Sequence, residues 1–371
     1  MVLDPAVDGP AAPCRPELAG AGGAAAGPDR RGAVMTLLTT LLERPDVTRV
    51  WPGKRGSLTF EWVDDRGLVR AGRLAADGGM DLLDHAVDPA LPGLSDRTPG
   101  PVVVHRYGRR AVAVGDDRVV KYTRGGHAAA IVANSTGFAT LCRHAGLRTP
   151  QVLHHDDASI EFDRCPGTSL HDLGDAGIEG WRHFVAAWPE LVATSVPLPS
   201  HRGIDEATTL QRWYEHATRH GAVPESARLA DRVTALCDAL AAGDGPAVPI
   251  HRDLHDKQLL WDGSELTLLD LDLGSSGEIA LDLGNLWAHA EVRRRQSVLS
   301  TTGLTVLSDL LGQAVEQLSA DPDRVALHRS ASRLRIAFVH AFRPADRGWL
   351  TGWVEECLAQ PLHAPLERTL S

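Results

Sequence analysis

Residues 250–274 form the part of the chain best suited to chemistry, and they run I-H-R-D-L-H-D-K-Q-L-L-W-D-G-S-E-L-T-L-L-D-L-D-L-G. The stretch holds six acidic residues and two histidines among apolar segments that have the pattern of buried strands. Ionised carboxylates are costly to bury unless they are paired or bound to a cation. So many acids beside apolar strands therefore predict a functional site.

Single residues in this stretch also have simpler explanations. An acid near a turn often caps a helix or accepts backbone N–H groups, and for Asp253 or Asp270 taken alone that explanation is as good as catalysis. His251 and His255 have the spacing of a helical metal pair, but no third ligand is evident and the preceding V-P-I favours a strand, so both are predicted to be structural. The aspartates predicted to be solvated turn residues are Asp256 and Asp262.

The elements that must position this stretch follow from the apolar patterns elsewhere. Between residues 47 and 123, short alternating runs broken by turns, such as S-L-T-F-E-W-V and R-V-V-K-Y, predict antiparallel strands. A helix is predicted after residue 125 and ends before Gly146, and S-I-E-F-D then predicts one more strand. The remainder has helical periodicity, except that residues 259–273 predict a hairpin. One predicted helical face carries Leu229, Val233, Leu236 and Leu240.

Composition narrows the possible partners and setting. A net charge of -10 argues against nucleic acid or an anionic membrane as the principal partner and is compatible with a cationic ligand. The five cysteines are scattered without metal-type spacing, which favours an intracellular, cytoplasmic protein. No apolar run approaches the roughly 20 residues needed to cross a bilayer. Residues 1–34 are rich in Ala, Gly and Pro and predict a disordered leader, with Met35 a candidate natural start.

An ordered set of motifs resembles the aminoglycoside phosphotransferase and choline kinase-like family. H-R-D is followed by Gln258 five residues after Asp253, then by a hairpin and L-L-D-L-D. V-V-K-Y is similar to the family's lysine strand, E-F-D-R-C-P-G to its connector and G-E-I-A-L-D-L-G-N to the segment after its metal-binding acid. The resemblance covers roughly residues 100–300 in the expected order.

The resemblance implies a fold and a domain plan. The fold class is α+β, a bilobal protein-kinase-like fold with a β-rich N-terminal lobe and a mostly helical C-terminal lobe that carries the catalytic hairpin. Residues 35–98 precede the part that resembles the family and are expected to form a small β-rich cap packed on the first lobe, because their two amphipathic runs need an apolar partner. Residues 99–165 are expected to form the nucleotide-binding lobe, and residues 166–371 the helical lobe with the catalytic and acceptor sites.

The resemblance also implies ATP-dependent phosphorylation of a small molecule's hydroxyl group, with Mg²⁺, and it assigns the site. Asp253 is the catalytic residue that accepts the hydroxyl proton, and the implied metal ligands are Gln258, Asp270 and Asp272. Lys121 is expected to reach the nucleotide phosphates. Only three lysines occur in the chain, so a lysine kept there suggests that a compact point charge is needed. The other residues implied in nucleotide binding are Asn134, Glu161 and Asp163.

Two departures from the family pattern keep other functions open. The phosphate-covering hairpin has no G-x-G-x-x-G and offers only Gly108, with Arg109 and Arg110 beside it. The helix after Lys121 lacks the glutamate that should pair with that lysine, and Asn134 lies near the expected place. A non-catalytic nucleotide-binding pseudokinase or regulatory module is therefore the alternative, and a metal-dependent hydrolase built on the two histidines is more distant.

The acceptor is not specified by the sequence. A protein kinase is disfavoured, because no peptide-docking activation segment separates Asp270 from G-E-I-A-L-D-L-G-N. An aminoglycoside, an amino sugar or a sugar fits the resemblance, and no sequence rule fixes the oligomeric state. The acids considered for binding an amine of the acceptor are Glu291, Asp309, Glu355 and Glu356.

Overall fold

The computed structural model describes residues 37–361. The predicted leader over residues 1–34 and the candidate start Met35 lie outside these residues. In the described range, strands dominate the first part of the chain and helices the second. No helix in this range is long and apolar enough to span a membrane.

The first sheet has four antiparallel strands in the order β1-β2-β3-β4. Their bounds are Val47–Pro52 (β1), Leu58–Val63 (β2), Val69–Leu74 (β3) and Met80–Leu82 (β4). In β2, Leu58 and Phe60 are fully buried on one face, which is the alternation expected of a strand with one covered side. This sheet lies where the β-rich cap was expected, and the boundaries of that cap stay a prediction.

The second sheet has five antiparallel strands in the order β5-β6-β7-β9-β8. Their bounds are Val102–Arg106 (β5), Arg110–Val114 (β6), Arg118–Thr123 (β7), Val152–His155 (β8) and Ser159–Asp163 (β9). Helix α1, Ala128–His144, connects β7 to β8. It ends as predicted, because Gly146 adopts a φ of 72° that other residues avoid.

The second half of the chain is mostly helical and carries short strands between its helices. The helices are α2 (Leu170–Leu173), α3 (Ile178–Ala193), α4 (Gly203–Arg219), α5 (Ala227–Ala241), α6 (Ala280–Arg295), α7 (Thr301–Gln317), α8 (Pro322–His340) and α9 (Arg347–Ala359). The strands are β10 (Thr168–Ser169), β11 (Ala247–Ile250), β12 (Leu259–Trp261), β13 (Leu266–Leu268) and β14 (Ser275–Glu278). The predicted apolar face of α5 is confirmed, since all four of its leucine and valine residues are buried.

The first sheet packs on both other parts of the molecule. The backbone N–H of His105 in β5, a strand of the second sheet, donates to the carboxylate of Glu61 in β2 at 2.8 Å. This hydrogen bond joins the first sheet to the second. The apolar side chains of the first sheet share one buried cluster with helical residues, among them Trp213, and the Val50 N–H donates to the Phe342 carbonyl at 3.0 Å. The expected cap was placed on the nucleotide-binding lobe only, so its contact with the helices is an addition to that expectation.

The hairpin at the acidic stretch is shorter than predicted. Strands β12 and β13 pair as expected, but β13 ends at Leu268, Asp270 adopts φ 54° and ψ 54°, and Leu271–Leu273 form a 3-10 helix. The expectation that the hairpin extends to residue 273 was therefore wrong. The α+β class, with a β-rich first part and a mostly helical second part that carries a hairpin, is confirmed.

Candidate active site

The loop after β11 places Asp253 between two fixed backbone groups. The Asp282 carboxylate accepts the N–H of His251 at 2.6 Å and the N–H of Arg252 at 2.8 Å. Arg252 has a φ of 72°, a left-handed conformation that costs energy for a residue with a side chain. The two hydrogen bonds hold this strained turn, so Asp282 ties down the loop.

Helix α6 also holds the loop on the other side of Asp253. The Asn285 amide donates to the Leu254 carbonyl at 2.9 Å, and Arg335 from α8 donates to the Asn285 side-chain oxygen at 2.6 Å. Asp282 and Asn285 are three residues apart on α6 and therefore lie on one face of the helix. The same helical face thus fixes the loop both before and after Asp253, whose side chain is buried.

His251 links the Asp253 loop to the segment that carries Asp270. Its Nδ1 accepts the Asp253 N–H at 3.3 Å, so the neutral ring carries its proton on Nε2. Nε2 then donates to the Leu269 carbonyl at 2.8 Å. Both ring nitrogens are used in structural bonds, as predicted for this histidine, and neither is free to bind the metal of a hydrolase.

Lys121 lies between the two aspartates that follow β13. Its ammonium donates to Asp270 at 3.0 Å and also to Asp272, and its side chain is 7% exposed. Burial opposes the charge of this lysine, but the attraction of the two carboxylates outweighs burial and raises the pKa of Lys121. The segment after β13 thus brings both carboxylates to one lysine without the extended strand expected for it.

Asn134 contacts this cluster differently from the family's glutamate. Its amide donates at 2.9 Å to the backbone carbonyl of Asp272 rather than to a charged side chain of the cluster. The counter-charges of Lys121 are therefore the Asp270 and Asp272 carboxylates, while Asn134 attaches α1 to the segment that carries them. The sequence indicated a missing glutamate but gave no signal for this replacement.

A cleft that is partly open to solvent lies beside the cluster. Its walls are mainly apolar, and Lys121, Asp270 and Asp272 form its charged end. The other lining residues are Val112, Val119, Ser135, Pro150, Phe162, Asp163, Cys165, Leu269 and Leu271. Apolar walls with a few charged groups at one end are typical of sites for small molecules and cofactors. The sequence did not single out the valines of this wall, because they have the pattern of ordinary buried strand residues.

The structure places the two predicted acids of the connector differently. Asp163 lines the cleft and accepts the Gln151 N–H. Glu161 pairs with Val120 of β7, which is next to Lys121 in that strand, so its side chain leaves the sheet on the face opposite to Lys121. There it pairs with Arg118 at 3.4 Å. The structure therefore brings Asp163, but not the Glu161 side chain, to the cleft.

Gln258 carries an unsatisfied oxygen in the same loop as Asp253. The residue is fully buried, and its Oε1 has no hydrogen-bond partner. Its backbone carbonyl accepts the Leu269 N–H at 2.8 Å, which places Gln258 beside the segment leading to Asp270. A buried amide oxygen without a partner is costly, and such an oxygen suits a hard cation such as Mg²⁺. Gln258 and Asp253 do not themselves line the cleft.

The prediction that Asp256 is a solvated turn residue was wrong. Asp256 is 5% exposed, and Arg293 of α6 binds its two oxygens at 2.6 and 2.9 Å, while His171 lies 2.9 Å away. Burial opposes its charge, but Arg293 outweighs burial and lowers the pKa of Asp256 well below its usual value. His255, Asp256 and His289 lie close enough to share a metal ion, but the bond from Arg293 disfavours that use of the carboxylate.

Comparisons with known proteins agree with this arrangement. Residues 101–348 match the phosphotransferase enzyme family, and the chain therefore belongs to that family. No curated protein matches the chain. The resemblance drawn from its motifs is confirmed.

Solved structures that are similar to this chain include kinases and phosphotransferases. A choline/ethanolamine kinase family protein from Mesorhizobium loti is 17% identical, with a TM-score of 0.48 over 71% of this chain and 89% of that one. An aminoglycoside phosphotransferase from Streptomyces rimosus is 15% identical, with a TM-score of 0.45 over 62% and 89%. A glucosamine kinase in complex with glucosamine, ADP and inorganic phosphate is 16% identical, with a TM-score of 0.43 over 88% and 97%. These likenesses are too distant to assign an acceptor.

Proposed function

We propose that the protein is an ATP-dependent kinase that phosphorylates a hydroxyl group of a small molecule, such as an aminoglycoside, an amino sugar or a sugar. The observation that carries this proposal is the position of Lys121, opposite Asp270 and Asp272 at the charged end of an apolar-walled cleft. Phosphoryl transfer needs mainly positioning and charge neutralisation, and this end of the cleft offers both signs of charge.

Asp253 is the residue that positions the acceptor hydroxyl and takes up its proton. Its backbone is fixed by His251 and by the bonds from Asp282 and Asn285 on either side. A group held in this way loses little freedom when the acceptor binds, which is the condition for efficient general-base catalysis. The loop can therefore present one carboxylate in one place throughout the reaction.

Mg²⁺ would be held by Gln258 and Asp270, and when bound it supplies positive charge beside the nucleotide phosphates. The partnerless Oε1 of Gln258 and the carboxylate of Asp270 are the oxygen donors that fit it. Asp272 was expected to be a further metal ligand. Its bond to Lys121 supports the role of counter-charge, which would supply what the missing glutamate supplies in the family.

The alternative of a non-catalytic nucleotide-binding module was motivated by that missing glutamate. Because Asp272 supplies a counter-charge to Lys121, the missing glutamate is a weaker argument for the non-catalytic module. Glu291, one of the acids considered for binding an amine of the acceptor, pairs with Arg329 and Arg333, which argues against that use. A cationic acceptor would then have to be recognised by other groups.

The test is a screen for release of ADP from ATP and Mg²⁺ with aminoglycosides, amino sugars, sugars and choline as acceptors. A kinase should show acceptor-dependent release with at least one of these classes, and product analysis should find a phosphate ester. Tight nucleotide binding without release for any acceptor would instead favour the binding module. The variant Asp253→Asn serves as the control for a contaminating kinase activity.

A further inference from the structure

The turn between β5 and β6 uses two of its backbone N–H groups for its own hydrogen bonds. Phosphate-binding loops present N–H groups of the main chain to the ligand. Here the Gly108 N–H donates to the Asp88 carboxylate at 2.6 Å, and the Arg109 N–H donates to the Arg106 carbonyl at 3.0 Å. The turn therefore uses these two donors internally and sets an acid against its only glycine.

The same turn is fixed from a second side. Arg124, just beyond the end of β7, donates to the Gly108 carbonyl at 2.6 Å. Asp88 also lies 3.3 Å from Nε2 of His105 in β5. A phosphate could reach the Gly108 N–H only by displacing the buried Asp88 carboxylate. Side chains are therefore better placed than these two N–H groups to recognise the phosphates from this side.

The register of the sheet places Arg110 on the right face for that task. Val112 pairs with Lys121 across β6 and β7, and both side chains line the cleft. Arg110 precedes Val112 by two residues in β6, so its side chain leaves the sheet on the same face, nearer the turn. Its charge acts on Lys121, on Asp270 and on Asp272, which places the guanidinium within electrostatic reach of all three.

The charges at this end of the cleft balance only when Arg110 is included. Lys121 alone faces two carboxylates and would leave the end of the cleft negative toward a polyanionic nucleotide. Arg110 adds a second positive charge near these three groups. A guanidinium presents a planar set of donors that can bind two phosphate oxygens at once.

From these observations we infer that Arg110 is a phosphate-binding residue, which contacts the terminal phosphates of the nucleotide in place of the main-chain groups of a glycine-rich loop. The inference rests on the proposed function, since it concerns the nucleotide half of the same site. The neighbouring Arg109 lies at the turn, is exposed and provides a matched control.

The test compares the affinities of AMP, ADP and ATP, with Mg²⁺ present, for the wild type, Arg110→Ala and Arg109→Ala. If Arg110 binds the terminal phosphates, Arg110→Ala should weaken ATP binding by about 10- to 100-fold, the usual range for a lost charge-assisted bond. AMP binding should change little, and Arg109→Ala should behave like the wild type. Arg110→Lys keeps the charge without the planar donors and should give an intermediate ATP affinity.

The outcomes separate this inference from the proposed function. ATP affinity unchanged in Arg110→Ala, or an equal loss for all three nucleotides, would overturn the role of Arg110 and leave the kinase proposal standing. Failure of the wild type to bind any adenine or guanine nucleotide would overturn both. If Arg110→Ala does not fold, Arg110→Gln and Arg110→Lys give the same comparison, since both keep a long polar side chain.

Discussion

The Asp253 loop and the Lys121 cluster are held together in different ways. Around Asp253, side chains of α6 and His251 bond to backbone groups, and none of these bonds needs to change when a substrate arrives. Around Lys121, charged side chains bond to one another. The lysine has to leave the carboxylates if it is to bind phosphate, and Asp270 has to leave the lysine if it is to bind a metal.

The difference indicates a division of work within one site. The loop is ordered before any substrate binds. The entropic cost of positioning the Asp253 carboxylate is therefore part of folding and not of substrate binding. In the cluster of Lys121, Asp270 and Asp272, the charged side chains pair with one another, and this pairing avoids leaving buried charges without a partner. Nucleotide and Mg²⁺ would then replace these pairs with new ones of the same kind. Changes in the two regions should therefore have different effects.

The largest effect is expected for Asp253→Asn. The amide cannot accept the hydroxyl proton, so turnover should fall by about 10²–10⁴-fold, the usual contribution of a general base. Nucleotide affinity should stay near that of the wild type, because Asp253 does not line the cleft. Steady-state turnover and equilibrium nucleotide binding measure the two effects separately. A variant with full turnover would remove Asp253 from the chemistry.

The stability of the protein at acid pH tests how firmly the structure around the Asp253 loop is held. Hydrogen bonds from His328 and Arg324 outweigh the burial of Glu278 at the end of β14 and lower its pKa to about 2. The usual value is about 4.3, so the contribution to stability, on the order of 3 kcal/mol, is present above that pH and is lost as the pH falls through about 2.

The measurement compares the free energy of unfolding of the wild type and Glu278→Gln between pH 7 and pH 3. The advantage of the wild type should be constant near neutrality and should shrink below about pH 4.3. Glu190→Gln, a change at an exposed position of α3, is the control. A difference that does not change with pH would show that Glu278 is not stabilised as a carboxylate.

Asp282→Asn tests the anchor of the loop directly. Asparagine has one acceptor oxygen, so one of the two N–H groups bound by Asp282 would lose its partner and face an amide donor. The free energy of unfolding should fall by about 1–3 kcal/mol, and turnover should fall with it. Asp262→Asn is the matched control, because Asp262 also accepts two backbone N–H groups but lies in an exposed turn. Equal losses in both variants would contradict the role of Asp282.

The smallest effect is expected for Asn134→Ala. The change removes the hydrogen bond between α1 and the Asp272 carbonyl and leaves the Lys121 charge pairs in place. Stability should fall by about 1 kcal/mol, as for one ordinary hydrogen bond. Metal-dependent nucleotide binding should change by much less than in Asp270→Asn. A comparable loss in the two variants would mean that Asn134 itself acts on the nucleotide.

The sequence predicted elements whose signal is local. The alternation of β2 and the three- and four-residue spacings in α5 record which faces are buried, and Gly146 marks the end of a helix. The family was also predictable, because the order of the motifs is itself the signal. The resemblance indicated Asp253, Asp270 and Lys121 as parts of one site, and the structure brings Asp270 to Lys121.

What the sequence did not predict depends on partners far along the chain. Asp256 is buried because Arg293, 37 residues later, binds its carboxylate. Asp270 adopts a left-handed conformation in a turn that brings it to Lys121, 149 residues away. Propensity describes a residue with its neighbours, so it favoured a solvated turn for Asp256 and a longer strand for Asp270. In both cases a distant charge decided the conformation.

The most direct test of this account is the affinity of ATP for the wild type and for Asp270→Asn, each titrated with and without Mg²⁺. If the Lys121 cluster exchanges its internal pairs for nucleotide and metal, Mg²⁺ should tighten ATP binding to the wild type. Asp270→Asn should remove most of that gain. Binding of ATP to the wild type that is the same with and without Mg²⁺ would contradict the account.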